Sequence, residues 1–269
     1  MLDQMNMKNV LRYSALLVLW VSSCVVHNPQ KCTEPDASTL LLACGTDPAF
    51  VTSDRNGGWS NGGYYVHNNM WNSSKYSPCT ETLYAWSFDN WCVLARMNNN
   101  TGDGAVKTYP NVHKNYDSVP ISSFRSIVST FAETSPQVGI YNFTYDFWIN
   151  GIATPDCTEI MIWTENFNQV PGGSYVQDMS FGGRTYKVYK RADSGYIAFV
   201  SNANFTSGTL DLLEIINWTI AKGWLSAEST LNQICFGVEI VSTDNTEARF
   251  RVTDFSIDAK LKAPKGNKP

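Results

Sequence analysis

Residues 158–163 read Thr158-Glu159-Ile160-Met161-Ile162-Trp163, a short run rich in branched and aromatic side chains. Such a run is typical of a β-strand. Because successive strand side chains point to opposite faces, Ile160 and Ile162 share one face of this strand. Glu159, Met161 and Trp163 share the other face, so one carboxylate lies in line with a thioether and an indole.

The carboxylate on this strand allows two interpretations. In the first, Glu159 meets solvent at the edge of an ordinary sandwich sheet, because a lone charge is costly to bury. In the second, the mixed face lines a cleft that binds carbohydrate. A sugar ring presents apolar C–H faces to Trp163 and hydroxyl groups to Glu159, so this surface suits it.

A second run, 234–241 (ICFGVEIV), repeats the pattern. Its bulky apolar residues alternate with Gly237, Glu239 and Val241, so a single glutamate again lies on the less bulky face of a strand. Two isolated glutamates on apolar strands, far apart in sequence, are what a hydrolase with facing carboxylates needs. The pair therefore favours the cleft.

Asp146 lies among aromatic residues in 145–148 (YDFW). It is either a solvated residue beside a hairpin or a third acid that hydrogen-bonds a catalytic glutamate and changes its pKa.

Composition excludes some classes of function. The 269 residues carry a net charge of −4 and 16% charged residues, so the chain has neither the basic patch of a nucleic-acid-binding protein nor an acidic tail. Aromatic residues reach 13%, which fits either a surface that stacks on flat ligands or a tyrosine-rich core. His27, His67 and His113 are scattered and no CxxC pair occurs, so we expect no metal site.

Residues 1–30 are predicted to be a signal peptide, since Lys8 and Arg12 precede an apolar run that is too short to span a bilayer. The run ends at Cys24 in a sequence that resembles a bacterial lipoprotein cleavage box. Two outcomes are open: a lipid anchor through Cys24, or ordinary cleavage and a soluble secreted product. The other six cysteines could pair in an oxidising compartment, and the sequence does not select among the possible pairings.

Residues 31–43 are expected to form a linker, and residues 44–258 one all-β catalytic domain. Strands at short, regular spacing predict a two-sheet antiparallel β-jelly-roll sandwich. One packed α-helix is expected over Leu210–Lys222, followed by Gly223 as a stop signal. Residues 259–269 are predicted to be a polar tail.

Several segments of this domain occur in the order of a known family. They are 68–71 (NNMW) followed by Cys79, 106–111 (VKTYPN), 145–148 (YDFW), 159–163 (EIMIW), 171–173 (PGG) and 236–239 (FGVE). Together they resemble glycoside hydrolase family 12, the compact endo-β-1,4-glucanases and xyloglucanases. The resemblance covers about residues 44–258, and it implies a curved jelly roll whose concave sheet forms an open groove for a glucan chain.

The resemblance also implies roles for individual residues. By motif position, Glu159 is the expected nucleophile, Glu239 the general acid/base, and Asp146 the partner of the nucleophile. It further implies a disulfide between Cys44 and Cys79, because the cysteine before the Asn-Asn-x-Trp motif usually bonds the one after it.

Four residues are expected to contact substrate on the same grounds. Asn69 and Trp71 would line a subsite on the non-reducing side, and Met161 and Trp163 would lie near the cleavage point. Breaking an acetal requires protonation of the leaving oxygen and stabilisation of an oxocarbenium-like carbon, which two carboxyl groups achieve. In the retaining reaction these groups lie roughly 5–5.5 Å apart.

The sequence therefore predicts a secreted retaining endo-β-1,4-glucanase that acts on β-1,4-glucan, as cellulose or mixed-linkage glucan. We expect it to act as a monomer, without a metal, an organic cofactor or nucleic acid. Three alternatives stay open: a xyloglucan-specific endoglucanase, a non-catalytic carbohydrate-binding sandwich, and an extracellular interaction protein.

Overall fold

The structure is a computed structural model that describes residues 44–263. The predicted signal peptide, the linker and Cys24 lie outside the described residues, as does most of the predicted tail. The described part of the chain forms strands β1 (Phe50–Thr52), β2 (Gly58–Asn61), β3 (Tyr64–His67), β4 (Cys79–Ser87), β5 (Asn90–Met97), β6 (Asn111–Pro120), β7 (Phe124–Thr134), β8 (Ile140–Ile149), β9 (Thr158–Phe167), β10 (Ser174–Phe181), β11 (Arg184–Lys190), β12 (Gly195–Ser201), β13 (Ser207–Asp211), β14 (Thr230–Ser242) and β15 (Ala248–Leu261).

The strands form two sheets, as the sequence predicts. Six strands pair in the order β1-β4-β5-β15-β7-β13, and nine pair in the order β10-β11-β12-β9-β8-β14-β6-β3-β2. All named pairs are antiparallel except β9 and β12, which run parallel. The chain leaves β9 for the outer edge of its sheet at β10 and returns inward through two hairpins, so β12 arrives beside β9 in the same direction. The prediction of a sandwich is confirmed, and one of its two sheets is mixed.

The core lies between the two sheets and is rich in aromatic side chains. Phe236 on β14 is its centre. Its ring centroid lies 4.7 Å from that of Tyr145 on β8, 4.9 Å from that of Phe131 on β7 and 5.7 Å from that of Phe255 on β15. These rings come from both sheets, and each such pair contributes about 0.5–1.5 kcal/mol beyond the burial of its area. They fix the two sheets against each other.

The predicted helix is present as α1 (Leu212–Ala221) and is shorter at its start than expected. Leu210 and Asp211 belong to β13, because Asp211 is the N-cap and its side chain accepts a hydrogen bond from the backbone N–H of Glu214 at 3.2 Å. Gly223 follows the helix with a φ of 70°, which suits glycine and stops the helix. Residues 44–263 contain no helix of the length and apolarity that a membrane crossing requires.

The domain is also longer than predicted at its C-terminal end. Strand β15 continues to Leu261, past the expected boundary at residue 258, and pairs with β7 over most of its length. Its last residues are polar or exposed, which is why the sequence pattern favours a tail there.

The predicted disulfide between Cys44 and Cys79 is wrong. Cys44 bonds Cys92, with the two Cα atoms 5.8 Å apart, and Cys79 is a free thiol whose Sγ donates to the Tyr76 carbonyl at 3.0 Å. The cause lies in the β4–β5 hairpin. Cys79 begins β4 opposite Met97, whereas Cys92 lies further along the hairpin, where Cys44 packs against it.

This correction can be tested by stability. Breaking the bond with Cys44→Ser or Cys92→Ser should lower the free energy of unfolding by about 2–4 kcal/mol, because the cross-link restricts the unfolded chain. The measurement is urea denaturation under non-reducing conditions. Cys79→Ser is the matched control and should unfold close to the parent protein. A large loss in Cys79→Ser, equal to that in Cys44→Ser, would restore the original pairing.

Candidate active site

The faces of β9 and β14 divide as the sequence pattern predicts. Ile160 and Ile162 of β9 belong to the core between the sheets, as does Val238 of β14. Glu159 and Glu239 therefore lie on the opposite face of the nine-stranded sheet, which we call the outer face. Both carboxylates are partly buried.

Strand β8 lies between β9 and β14 and brings Asp146 to the middle of this face. Asp146 is directly opposite Met161 on β9 and Cys235 on β14. Cys235, Asp146 and Met161 thus form part of a line that crosses the strands of the sheet. We call the residues that lie directly opposite one another along this line the central row. Glu159 precedes Met161, and Glu239 follows Cys235. Because β9 and β14 both run antiparallel to β8, the two glutamates lie on opposite sides of the central row.

The three acids are coupled electrostatically. Burial raises the pKa of Glu159 to about 7 and that of Glu239 to about 7. Asp146, which is only 4% exposed, has a pKa well above its usual value because of burial, and the charges of Glu159 and Glu239 raise it further. The charge of Glu159 also raises the pKa of Glu239. The cluster therefore holds fewer than three negative charges near neutral pH.

Asn142 on β8 fixes the position of Glu239. The two residues are directly opposite in the β8–β14 pairing, and Asn142 Nδ2 donates to Glu239 Oε2 at 2.9 Å. Asn142 is fully buried, and its amide therefore has a defined place. This hydrogen bond to the carboxylate lowers the pKa of Glu239, in opposition to burial.

Tyr109 is a site residue to which the sequence assigned no role. It is buried, and its hydroxyl donates to the Thr144 carbonyl at 3.2 Å. Its side chain therefore extends from the segment before β6, across β14, to β8. Burial raises its pKa well above the usual value, and the charges of the acid cluster add to this. Gly237 is the feature of the sequence that could have indicated a close approach of the Tyr109 segment to β14. A Cβ there would lie 2.1 Å from the Pro110 carbonyl, so only glycine admits this segment.

The predicted substrate residues divide into two kinds. Trp71 is 58% exposed, as an aromatic platform requires, and Asn69 donates from Nδ2 to the Tyr109 carbonyl at 3.1 Å, which holds the Trp71 loop beside the site. Met161 and Trp163 are each 2% exposed and pack against Ala198. They form the floor of the outer face and leave little surface for a ligand.

Arg191 is a second residue that sequence reasoning missed. Tyr196 on β12 lies opposite Glu159, and the Arg191 guanidinium lies 5.2 Å from the centroid of the Tyr196 ring. Its positive charge lowers the pKa of Glu159, against the effect of burial. Gly172 packs against it, since a Cβ there would lie 2.9 Å from guanidinium nitrogens. The approach of Arg191 to Glu159 does not follow from spacing in the sequence, because it depends on the register of β12 on β9.

No group of three or more His, Cys, Asp or Glu side chains among residues 44–263 is arranged to hold a metal ion. The described site is therefore a carboxylate cluster with amide, phenol and guanidinium neighbours. Such a cluster can exchange protons near neutral pH and can stabilise positive charge on a reacting carbon.

The family model of glycosyl hydrolase family 12 matches residues 62–260. The chain belongs to this family. It is thus a glycoside hydrolase, and the resemblance seen in the sequence motifs is confirmed.

Relatives within family 12 are distant but cover most of the chain. Endoglucanase S of Pectobacterium parmentieri is 25% identical over 257 residues, which span 83% of this chain and 92% of the relative. A xyloglucan-specific endo-beta-1,4-glucanase A of Emericella nidulans is 25% identical over 246 residues, spanning 81% and 97%. Both span nearly the whole length of the relative, so the likeness covers the entire catalytic domain.

Solved structures show the same fold. A family 12 xyloglucanase from Bacillus licheniformis superposes with a TM-score of 0.68 at 23% identity, covering 78% of this chain and all of that chain (100%). A metagenome-derived family 12 endoglucanase superposes with a TM-score of 0.67 at 22% identity, covering 79% and 98%. The predicted jelly roll is therefore confirmed.

The raised pKa of Glu239 predicts a dependence of stability on pH. Its folded-state pKa of about 7 lies above the ordinary value of 4.5, so the fold loses stability as pH rises between these values. Glu239→Gln removes the charge and should raise the free energy of unfolding at pH 8 by roughly 1–3 kcal/mol, at about 1.4 kcal/mol per pKa unit.

The measurement is urea denaturation at pH 8 and at pH 4. At pH 4 the difference between Glu239→Gln and the parent protein should nearly vanish, because both side chains are then neutral. Glu228→Gln, which changes an exposed loop residue, is the matched control and should have little effect at either pH. Equal stabilisation at both pH values would show that charge is not the cause.

Arg191 predicts a change in the titration of its neighbour. Arg191→Gln should raise the pKa of Glu159, because the lost positive charge favoured the carboxylate. NMR titration of carboxyl-labelled glutamate measures this directly. The shift should shrink at high salt, since Arg191 is exposed and its charge is screened. Lys190→Gln removes the adjacent charge and serves as the control. An equal shift in the pKa of Glu159 in Lys190→Gln would show that the effect is not specific to Arg191.

Proposed function

We propose that the protein is a secreted, retaining endo-β-1,4-glucanase that hydrolyses internal linkages of β-glucans by double displacement. The observation that carries this proposal is the placement of Glu159 and Glu239 on opposite sides of the central row, with Asp146 buried between them. A glucan chain lying along the central row would pass between two carboxyl groups, each with a pKa of about 7.

The neighbours of each glutamate support distinct roles. The charge of Arg191 favours the ionised form of Glu159, which suits a nucleophile. Burial and, to a smaller extent, the charge of ionised Glu159 raise the pKa of Glu239 to about 7, so this group can hold the proton that it must donate. Burial raises the pKa of Asp146 well above its usual value and so favours the protonated form, which is suited to donate a hydrogen bond to the nucleophile.

The reaction then has two balanced steps. A carboxylate oxygen of Glu159 attacks the anomeric carbon, while Glu239 gives its proton to the glycosidic oxygen and the leaving chain departs with the bonding pair. In the second step Glu239 takes a proton from water, the water oxygen bonds to the anomeric carbon, and Glu159 is released as a carboxylate. The configuration at the anomeric carbon is inverted twice and so retained.

Xyloglucan is a second candidate for the substrate. Two observations favour it. Several relatives, from Emericella nidulans and Aspergillus niger among others, are named xyloglucan-specific endo-beta-1,4-glucanases. A cavity of about 600 Å³ opens next to the central row, lined by residues that include Tyr65, His113 and Asn115, and it offers room for a branch sugar. Family membership favours both hydrolase readings over a non-catalytic binding module.

Secretion is supported by the predicted signal peptide of residues 1–30 and by the disulfide between Cys44 and Cys92, which suits an oxidising compartment. The lipid anchor through Cys24 stays a prediction from the leader sequence, and the monomeric state stays a prediction as well.

Activity on a panel of carboxymethyl cellulose, mixed-linkage glucan, xyloglucan and xylan tests the proposal. Glu239→Gln should lower kcat on mixed-linkage glucan by roughly 10²–10⁴-fold, the range for a positioned acid–base group. Glu159→Gln should abolish turnover, because no covalent intermediate can form. Normal activity in either variant would overturn the roles, and faster turnover of xyloglucan than of unbranched glucans would select the second candidate.

Two further measurements separate the roles. NMR of the first product should show the β-anomer, and an initial α-anomer would exclude double displacement. Glu239→Gln should lose least on aryl glycosides with acidic leaving groups, since these depart without a proton. Glu159→Gln should lose activity on all of them. Glu228→Gln should match the parent protein throughout.

A further inference from the structure

The central row does not end beside the acids. Beyond Met161 it continues across the outer face, where Ala198 on β12, Tyr189 on β11 and Tyr175 on β10 lie directly opposite one another in turn. Strand β8 with Asp146 is the middle strand of the nine, and β10 is the last strand on this side. The row therefore leads from the acid cluster to two tyrosines at the edge of the sheet.

A β-bulge brings Tyr175 into the row. Along β10, Met179 and Phe181 point into the core, and unbroken alternation would turn Tyr175 toward the core as well. The pairing with β11 shifts its register between Tyr175 and Gln177, with Val176 as the extra residue. The shift turns Tyr175 to the outer face, beside Tyr189. Bulges commonly re-aim a side chain in this way near functional sites.

The Tyr175 ring is held in place although it is exposed. The side chain is 53% exposed, and its ring centroid lies 6.0 Å from that of Tyr189 in an edge-to-face arrangement. Its hydroxyl donates to Asp178 Oδ1 at 3.2 Å. A fixed, exposed aromatic ring costs little further entropy when a flat ligand packs on it, so it suits the apolar face of a sugar.

We propose that Tyr175 and Tyr189 form a distal binding platform for the same β-glucan chain, at the β10 end of the central row. This inference rests on the proposed function, because it takes the ligand at the acids to be a glucan. Four strand spacings separate β8 from β10, which is about 19 Å at about 4.8 Å each. A chain must therefore be long to contact the acids and the platform together.

The experiment measures binding to Glu159→Gln, in which cleavage is blocked, with two probes. One is cellotriose, which is too short to span the distance, and the other is soluble mixed-linkage glucan. Adding Tyr175→Ala should weaken binding of the polymer by roughly three- to tenfold, the effect of losing one aromatic contact. Binding of cellotriose at the acids should be unchanged.

Two control variants define the result. Tyr175→Phe keeps the ring and should bind the polymer as the Glu159→Gln parent does. Val51→Ala removes an exposed apolar side chain from β1, in the six-stranded sheet, and should also have no effect. Polymer binding that is unchanged in Tyr175→Ala would overturn the platform. So would equal losses for both probes, or a loss in Tyr175→Phe as large as that in Tyr175→Ala.

The platform and the proposed function can fail separately. If the unmutated protein binds mixed-linkage glucan but cleaves no glucan, the proposed activity is wrong, and the same binding measurements still decide the platform. If the unmutated protein cleaves glucans and Tyr175→Ala binds the polymer as tightly as its parent, the activity stands and the platform is wrong.

Discussion

The alternation of side chains along β8, β9 and β14 is the constraint on which the site depends. Each of these strands places large apolar groups in the core, with Tyr145, Ile160 and Phe236 fully buried. The same alternation turns the acids to the outer face. A slip of one residue in either pairing would send a carboxylate into the core and an aromatic ring to the outer face, at a cost of several kcal/mol. The core therefore sets the register, and the register sets the position of the acids.

That arrangement has an energetic cost that the fold must offset. Three carboxyl groups share one face, and burial raises the pKa of each. Asp146 Oδ1 is buried and has no hydrogen-bond partner among the described protein groups. Such groups cost stability and persist only where the rest of the structure compensates for that cost. Here the aromatic core beneath the outer face supplies that compensation.

The sequence predicts the features that depend on local pattern. The faces of β9 and β14, the sandwich and the helix all follow from periodicity, because apolar residues recur at fixed spacing. The family motifs then give Glu159, Glu239 and Asp146. These residues can be named without coordinates, since each is the single acid in its apolar segment.

The features that the sequence did not predict depend on how strands meet. A turn separates β4 from β5, and this hairpin brings Cys92 rather than Cys79 to Cys44. Arg191 and Tyr196 approach Glu159 only through the parallel pairing of β12 with β9. The β-bulge at Val176 reverses the face of Tyr175 against its apparent alternation. In each case the deciding contact joins segments whose relative register no local pattern encodes.

The surroundings of the two glutamates, rather than the glutamates themselves, make the proposed roles unequal. Both acids have a pKa of about 7, so isolated values would not distinguish a nucleophile from an acid. Arg191 favours ionisation of Glu159, and the resulting charge disfavours ionisation of Glu239. The hydrogen bond from Asn142 acts the other way and favours the carboxylate of Glu239, so the two glutamates differ in which neighbours set their ionisation rather than in the pKa itself.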